Sequence, residues 1–213
     1  EEATARLWSA ATGRAFDAAQ VRHQLGVARE RAFARIPELL AASRGMSIVD
    51  GFRAAVAALR AEDGLEHEAT IIGACSVIAG ALVQRANGAE AVPPDATAGH
   101  AADTLRMLRE QAPAPREAVA LDTYLVTVCD HGMNASTFAA RVVASTQADL
   151  FATVTAGYCA LTGPLHGGAP EPVLEMLTAI GTRKRIKPWV DAALARGDRL
   201  MGAAYSSQSP PSS

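Results

Sequence analysis

The segment from Ala69 to Val83 reads ATIIGACSVIAGALV and is the most apolar stretch of the chain. It lies between Glu68 and Gln84 and is shorter than the ~20 apolar residues that a membrane-spanning helix needs. We therefore predict a buried helix and no membrane span. Small residues within it would let another helix approach its backbone closely, either in a packed core or at a subunit interface: Gly73, Ala74, Gly80 and Ala81.

The rest of the chain predicts an all-α fold. Alanine and leucine dominate, β-branched runs are short, and no long stretch alternates between apolar and polar residues, so the summed propensity favours helix. Of the 213 residues, 49% are hydrophobic and 20% are charged, which is typical of a soluble globular protein. A chain of this length can bury a core without disulfides or metals.

Charge and cysteine content exclude several functions. The net charge is −2 and basic residues are interleaved with acidic ones, so we expect neither nucleic-acid binding nor attachment to a membrane surface. Cys75, Cys129 and Cys159 are odd in number and far apart, which argues against a disulfide framework and a structural zinc site. This cysteine pattern predicts a reducing, cytoplasmic location, and the first residues lack the pattern of a secretory signal.

Proline and capping residues divide the helical pattern in the first half. Pro37 should kink or split the apolar run from Val21 to Ala42. Ser47 and Asp50 resemble a capping box that opens a helix over 48–61.

In the second half, apolar spacing predicts a helix from Arg116 to Val128 and one long helix from about Ala135 towards Leu161. Pro172 suits the first turn of a helix that ends at Gly181. A last helix is predicted over 189–201.

The five histidines are the candidate catalytic or binding residues, because the sequence has no P-loop, GxGxxG, HExxH, GxSxG or paired CxxC motif. We expect His23 and His67 to be solvated surface groups. His100 and Asp103 have the i,i+3 spacing of two ligands on one helix face, but without further ligands a structural role is favoured. No metal site is predicted.

His166 differs because it lies in a glycine-rich break between helices. Gly163, Gly167 and Gly168 predict a tight backbone turn around it, just before a helix N-terminus whose partial positive charge disfavours imidazolium. A neutral imidazole there could donate a hydrogen bond to a developing enolate oxygen. The alternative is a histidine that caps orphan backbone groups.

His131 also lies at a helix break, between Asp130 and Asn134. It could contact an anionic substrate, or it could form a hydrogen bond between two helices. The residues alone leave both interpretations open.

Two segments around these histidines resemble signature blocks of the citrate synthase family, in the same order and at similar separation. Residues 130–146 read DHGMNASTFAARVVAST, and residues 163–177 read GPLHGGAPEPVLEML. The flanking segments HAADTLRML at 100–108 and WVDAALARGDRLMG at 189–202 are similar to those of bacterial members. The resemblance covers nearly the whole chain.

The resemblance implies a homodimer whose large helical domain corresponds to residues 1–202. The Ser- and Pro-rich composition of 203–213 predicts a disordered tail. It implies condensation of acetyl-CoA, or propionyl-CoA, with oxaloacetate to give citrate, or 2-methylcitrate, and CoA. The acyl-CoA is a substrate, and no permanently bound cofactor is expected. By resemblance His166 is catalytic and stabilises the enol of the thioester, His131 binds oxaloacetate, and Asn134 supports His131 or the substrate.

The chain departs from the family pattern after Gly202. There the family usually continues with a segment such as GFGHRVY, which carries a second catalytic histidine. A small domain follows and supplies the aspartate base and several arginines. Here Gly202 is followed by AAYS, so we expect the small domain to be missing.

Three alternatives follow from this departure. A partner chain could supply the small domain, or the protein could be a catalytically inactive, truncated paralogue that acts as a dimeric interaction or regulatory subunit. A shifted reading frame beyond Gly202 is the third.

Overall fold

The structure is a computed structural model that describes residues 1–62, 64–130, 132–163, 166 and 170–198, with the backbone alone at 170–172. Within these ranges every regular element is helical and none is a strand, which confirms the predicted all-α class. The chain divides into two compact units, Glu1–Cys159 and a second that begins at Ala160. The sequence offered no signal for this boundary, because a helix runs across it.

The helices, in chain order, are α1 (Glu2–Thr12), α2 (Ala18–Ala34), α3 (Ile36–Leu39), α4 (Ile48–Ala57), α5 (His67–Ala86), α6 (His100–Arg109), α7 (Pro115–Val128), α8 (Ala135–Ala144), α9 (Leu150–Leu161), α10 (Pro170–Ile180) and α11 (Ile186–Ala195). Short 3-10 helices lie at Ala41–Ser43 and Arg183–Arg185. Helices α1 to α8 belong to the first unit, α9 crosses the boundary, and α10 and α11 belong to the second. The predicted disordered tail at 203–213 lies outside the described residues.

Helix α5 is the centre of the first unit, as the apolar segment predicted, and packs against α2, α4 and α6. It is long and apolar enough to cross a membrane by length and composition, but 67% of its most apolar window is buried inside the structure. The core helix of a globular protein can have the same length and hydropathy as a membrane-spanning helix. The burial of α5 by three neighbouring helices agrees with a core helix.

Two glycines let α5 approach its neighbours closely. A Cβ atom built at Gly73 would lie 2.6 Å from the Cβ of Ala28 on α2, and one at Gly80 would lie 3.0 Å from the Cβ of Met107 on α6. Of the two alternatives for these small residues, the structure shows the packed core.

A buried ion pair joins α2 to α6. Arg29 and Asp103 are both fully buried, and the Arg29 Nε lies 2.7 Å from the Asp103 Oδ2. The Arg29 Nη1 also lies 3.3 Å from the Nδ1 of His100. Burial lowers the pKa of Arg29, and the charge of Asp103 opposes that shift. His100 and Asp103 therefore have the structural role that the sequence favoured.

The same pair holds the loop between α5 and α6. The Arg29 Nη2 donates to the carbonyl oxygens of Asp95 and Ala98, each at 3.0 Å, and the backbone N–H of Asp95 donates to the Asp103 carboxylate at 3.1 Å. These bonds satisfy backbone groups that lack partners in a regular element.

Several predicted helix boundaries are confirmed and others are wrong. Pro37 divides the first apolar run into α2 and α3, and the Ser47 Oγ accepts a hydrogen bond from the Asp50 N–H at 3.1 Å, as predicted. The helix that begins at Ile48 ends at Ala57 rather than at residue 61. The last helix runs over 186–195 rather than 189–201, because Gly197, with φ of 78°, ends it.

The long helix predicted from Ala135 towards Leu161 is two helices, α8 and α9. Gln147 has φ of 64°, a left-handed conformation that no helix interior adopts. The Asp149 Oδ1 then accepts a hydrogen bond from the Ala152 N–H at 2.8 Å and caps α9. The prediction was wrong because it followed apolar spacing and overlooked Asp149 as a helix start.

The close approach of α5 and α2 predicts an asymmetry between two helical glycines. Gly73→Ala should lower the free energy of unfolding by ~1–3 kcal/mol, because the new methyl group clashes with α2. In Gly157→Ala the Cβ would lie 3.5 Å from the nearest atom, so the substitution should stabilise α9 by up to ~1 kcal/mol. Urea unfolding followed by circular dichroism measures both; equal effects would contradict the packing.

The buried network predicts a stability change with pH. Burial lowers the pKa of His100 to about 4, and the nearby Arg29 charge acts in the same direction. In the unfolded chain a histidine has a pKa of ~6.5, so between these values only the unfolded state binds the proton. The free energy of unfolding should therefore fall by ~3 kcal/mol as the pH is lowered from 6.5 to 4.

Variants test whether His100 is responsible. His100→Gln should flatten the pH dependence in urea unfolding, whereas His23→Gln, at an exposed position, should leave it unchanged. An unaltered profile in His100→Gln would show that other groups cause it.

Candidate functional site

The first signature segment forms a tight turn between α7 and α8. Gly132 has φ of 64°, which an L side chain rarely adopts. Its N–H donates to the Asp130 Oδ1 at 3.1 Å, and the Asn134 N–H donates to the Gly132 carbonyl oxygen at 3.1 Å. Local hydrogen bonds thus fix the described residues on both sides of position 131.

Asn134 closes this turn as the N-cap of α8. Its Oδ1 accepts a hydrogen bond from the Thr137 N–H at 2.9 Å, and the Thr137 hydroxyl donates to the Gly132 carbonyl oxygen at 3.1 Å. The side-chain amide of Asn134 is thereby held in a fixed orientation. Within the described part of the chain its Nδ2 donates to no group, so it retains a donor for a ligand.

His131 is the predicted oxaloacetate-binding residue, and it lies outside the described residues. The residues on both sides, Asp130 and Gly132, are described and are fixed by the hydrogen bonds of the turn. The role of His131 stays a prediction.

The second signature segment forms a turn after α9. The Gly163 N–H donates to the Ala160 carbonyl oxygen at 3.2 Å, and the His166 N–H donates to the Gly163 carbonyl oxygen at 2.9 Å. His166 is half-buried, and α10 begins at Pro170, so His166 precedes a helix start as predicted. Gly167 and Gly168, predicted for the same turn, lie outside the described residues.

The two turns belong to different units, Asn134 to the first and His166 to the second. Within the second turn the structure brings together two residues that the sequence singled out, Gly163 and His166. Within the first it fixes Asn134 next to Gly132. The roles of Asp130 and Thr137 in the first turn were missed. An aspartate two residues before a glycine is typical of an Asx-turn, and this pattern could have indicated the role of Asp130.

The other candidates are structural or exposed. His23 and His67 are exposed, as expected, although the His67 ring centroid lies 5.5 Å from that of Phe151. Cys75 and Cys129 form no disulfide within the described residues, and burial raises the pKa of Cys75 to about 12.

Helices α7 and α8, which flank the first turn, carry large apolar side chains that are exposed. We call them the α7–α8 apolar surface; they are Val119, Tyr124, Leu125, Val126, Val128, Phe138 and Val142. Helix α7 has no buried residue along its length. An exposed apolar set of this extent is typical of a protein–protein contact.

Comparison with known proteins identifies the family and the fold. The family model described as "Citrate synthase, C-terminal domain" matches residues 1–210. The chain belongs to the citrate synthase family.

Curated relatives include both citrate and 2-methylcitrate synthases. The chain is 38% identical over 123 residues to a citrate synthase of Mycolicibacterium smegmatis, which covers 58% of this chain and 33% of the relative. It is 35% identical over 165 residues to a 2-methylcitrate synthase of Mycobacterium tuberculosis, which covers 74% of this chain and 42% of the relative.

Solved structures agree on the fold. A citrate synthase from Pyrobaculum aerophilum matches with a TM-score of 0.75 and 32% identity, covering 94% of this chain and 55% of that one. A Thermoplasma acidophilum citrate synthase, solved as a ternary complex with carboxymethyl coenzyme A and oxaloacetate, has a TM-score of 0.75 at 24% identity, covers 95% of this chain and 56% of that one, and shows the fold alone. The chain spans about a third to two fifths of these two curated relatives and just over half of these solved ones.

The capping geometry predicts different outcomes for two substitutions at Asn134. Asn134→Ala removes the oxygen that accepts from Thr137 and should cost ~1 kcal/mol of stability, whereas Asn134→Asp keeps that oxygen and should cost little. Urea unfolding compares the two variants. Equal stabilities would show that the cap does not stabilise α8. Because Asn134→Asp loses only the Nδ2 donor, it also separates ligand binding from folding.

Proposed function

We propose that this protein takes part in the condensation of acetyl-CoA or propionyl-CoA with oxaloacetate, giving citrate or 2-methylcitrate and free CoA. The observation that carries the proposal is the hydrogen bond from the His166 N–H to the Gly163 carbonyl oxygen, four residues before α10 begins, in a chain of the citrate synthase family. Relatives with both names support both acyl groups.

In the proposed reaction the methyl or methylene carbon of the thioester loses a proton and forms a bond to the ketone carbon of oxaloacetate. Water then cleaves the thioester and releases CoA. The barrier lies in the enol that follows proton loss, because negative charge develops on the thioester oxygen. A fixed hydrogen-bond donor at that oxygen lowers the barrier, and donors of this kind are typically worth ~10²–10³ in rate.

His166 supplies that donor in the proposal. Its backbone is fixed by the bond to Gly163, and it precedes α10, which begins at Pro170. His131 and the Nδ2 of Asn134 would bind the oxaloacetate oxygens. The Asn134 cap would keep its amide oriented before substrate arrives, which reduces the entropy lost on binding.

The proposal concerns the assembled protein, because the chain spans only part of its relatives. In the proposal the aspartate base and carboxylate-binding arginines of the family come either from the same polypeptide or from a partner chain. The assay should accordingly use the natural assembly isolated from its source as well as the isolated chain.

Replacement of His166 tests the proposal. In the assembly, His166→Ala should reduce oxaloacetate-dependent thioester cleavage by ~10²–10³, since the enol loses its donor. The loss of thioester absorbance should be followed directly, because the exposed Cys129 and Cys159 would react with a thiol reagent. His23→Ala is the matched control at an exposed histidine. Unreduced cleavage in His166→Ala would refute the assigned role. Oxaloacetate binding without any turnover would instead support an inactive, regulatory paralogue.

We also propose that the protein is a homodimer, and the α7–α8 apolar surface supports this. The sequence suggested α5 for the interface, but α5 is largely buried inside its own chain. Phe138→Lys places a charge on the apolar surface and should shift the mass in solution from dimer towards monomer. Leu7→Lys, at another exposed apolar position, is the control. A wild-type monomer at micromolar concentration would contradict the proposal.

A further inference from the structure

A run of cations lies at the 3-10 turn before α11 and in the first turn of α11, and no other part of the sequence resembles it. Four of the five residues at 183–187 are basic: Arg183, Lys184, Arg185 and Lys187. We call them the basic run. The two lysines are the only ones among the 213 residues, so both primary amines that side chains provide lie here. All four side chains are exposed.

The basic run has little compensating negative charge. The Lys187 Nζ lies 2.7 Å from the Asp191 Oδ2, one turn further along α11. In the described ranges, Arg183, Lys184 and Arg185 form no ion pair, whereas arginines such as Arg14, Arg60 and Arg109 each do.

The backbone holds these cations where they repel each other. The Arg185 N–H donates to the Thr182 carbonyl oxygen at 2.9 Å, so the run forms a 3-10 turn that leads into α11. The N-terminus of a helix carries a partial positive charge, which disfavours cations in its first turn. A bound anion would relieve both repulsions at once.

The size of the run favours a compact anion. At ~2 Å of rise per residue in the 3-10 turn and ~1.5 Å in α11, residues 183 and 187 lie ~7 Å apart along the helix axis. The net charge of the chain is −2 and the run contributes +4, so the remaining residues carry −6. An extended polyanion such as DNA would reach beyond the run to this negative surface, whereas a small anion stays within a Debye length of ~8–10 Å.

We propose that the basic run binds a soluble polyphosphate group, in which two or three linked phosphates face the cations. Guanidinium groups donate paired hydrogen bonds to phosphate oxygens, and the lysine ammonium groups add point charges. The inference does not rest on the proposed condensation reaction.

Amine footprinting tests this directly, because Lys184 and Lys187 are the only lysines. The full chain is acetylated with an amine-reactive ester, and mass spectrometry gives the rate at each lysine. Inorganic triphosphate should slow acetylation of both lysines by ~5-fold or more. Its oxygens accept hydrogen bonds from the ammonium groups and hold them in the charged form, which does not react with the ester. Sodium chloride at the same ionic strength should not slow acetylation.

Paired variants locate the site while both lysines remain as reporters. The double variant Arg183→Gln, Arg185→Gln should abolish the protection of the lysines by triphosphate. Arg6→Gln with Arg116→Gln removes the same charge from exposed positions elsewhere and should preserve it. Circular dichroism verifies that both remain folded. ADP in place of triphosphate shows whether a nucleoside adds to binding by the phosphates.

Three results would overturn the proposal. These are no protection by triphosphate, equal protection in the two double variants, and stronger protection by duplex DNA at the same phosphate concentration. The last would identify an extended polyanion as the partner.

Discussion

The architecture of the first unit depends on how closely α5 approaches α2 and α6. At Gly73 and Gly80 the neighbouring helices occupy the space that a side chain would need. Close approach brings many atoms into contact, and dispersion energy sums over such contacts. It also brings Arg29 of α2 within reach of Asp103 of α6, so the ion pair exists because the helices pack closely. Desolvation offsets most of the attraction within a buried pair of this kind, whereas loss of one partner would leave a buried charge uncompensated.

The two signature segments contrast with this closely packed centre, because each of them forms a turn. Gly132 and Asn134 give the first turn its shape, and Gly163 gives the second its shape. Such turns expose backbone and side-chain polar groups that a helix would use internally, so they are suited to hold a substrate. The helices position these turns, and short local hydrogen bonds define their geometry.

Much of the fold and the local frame of the site could be predicted from the sequence. The helical class, the buried α5, the division at Pro37 and the cap at Ser47 follow from local signals that the structure keeps. The break between α8 and α9 did not follow, because apolar spacing continues through Gln147 while the backbone turns left-handed there. The boundary near Cys159 lies inside a helix and leaves no mark in composition. The cap formed by Asn134 was not predicted, because its position in the signature segment led to a binding role instead.

The loop between α5 and α6 shows order without regular secondary structure. Segments of this kind are usually the first that proteases cut, because their backbone must leave its surroundings to enter a protease cleft. Here Arg29 binds two carbonyl groups of the loop and Asp103 binds one of its amides, so that excursion would break bonds to a fully buried ion pair. Resistance of this loop to cleavage is thus a property of α2 and α6 rather than of the loop's own sequence.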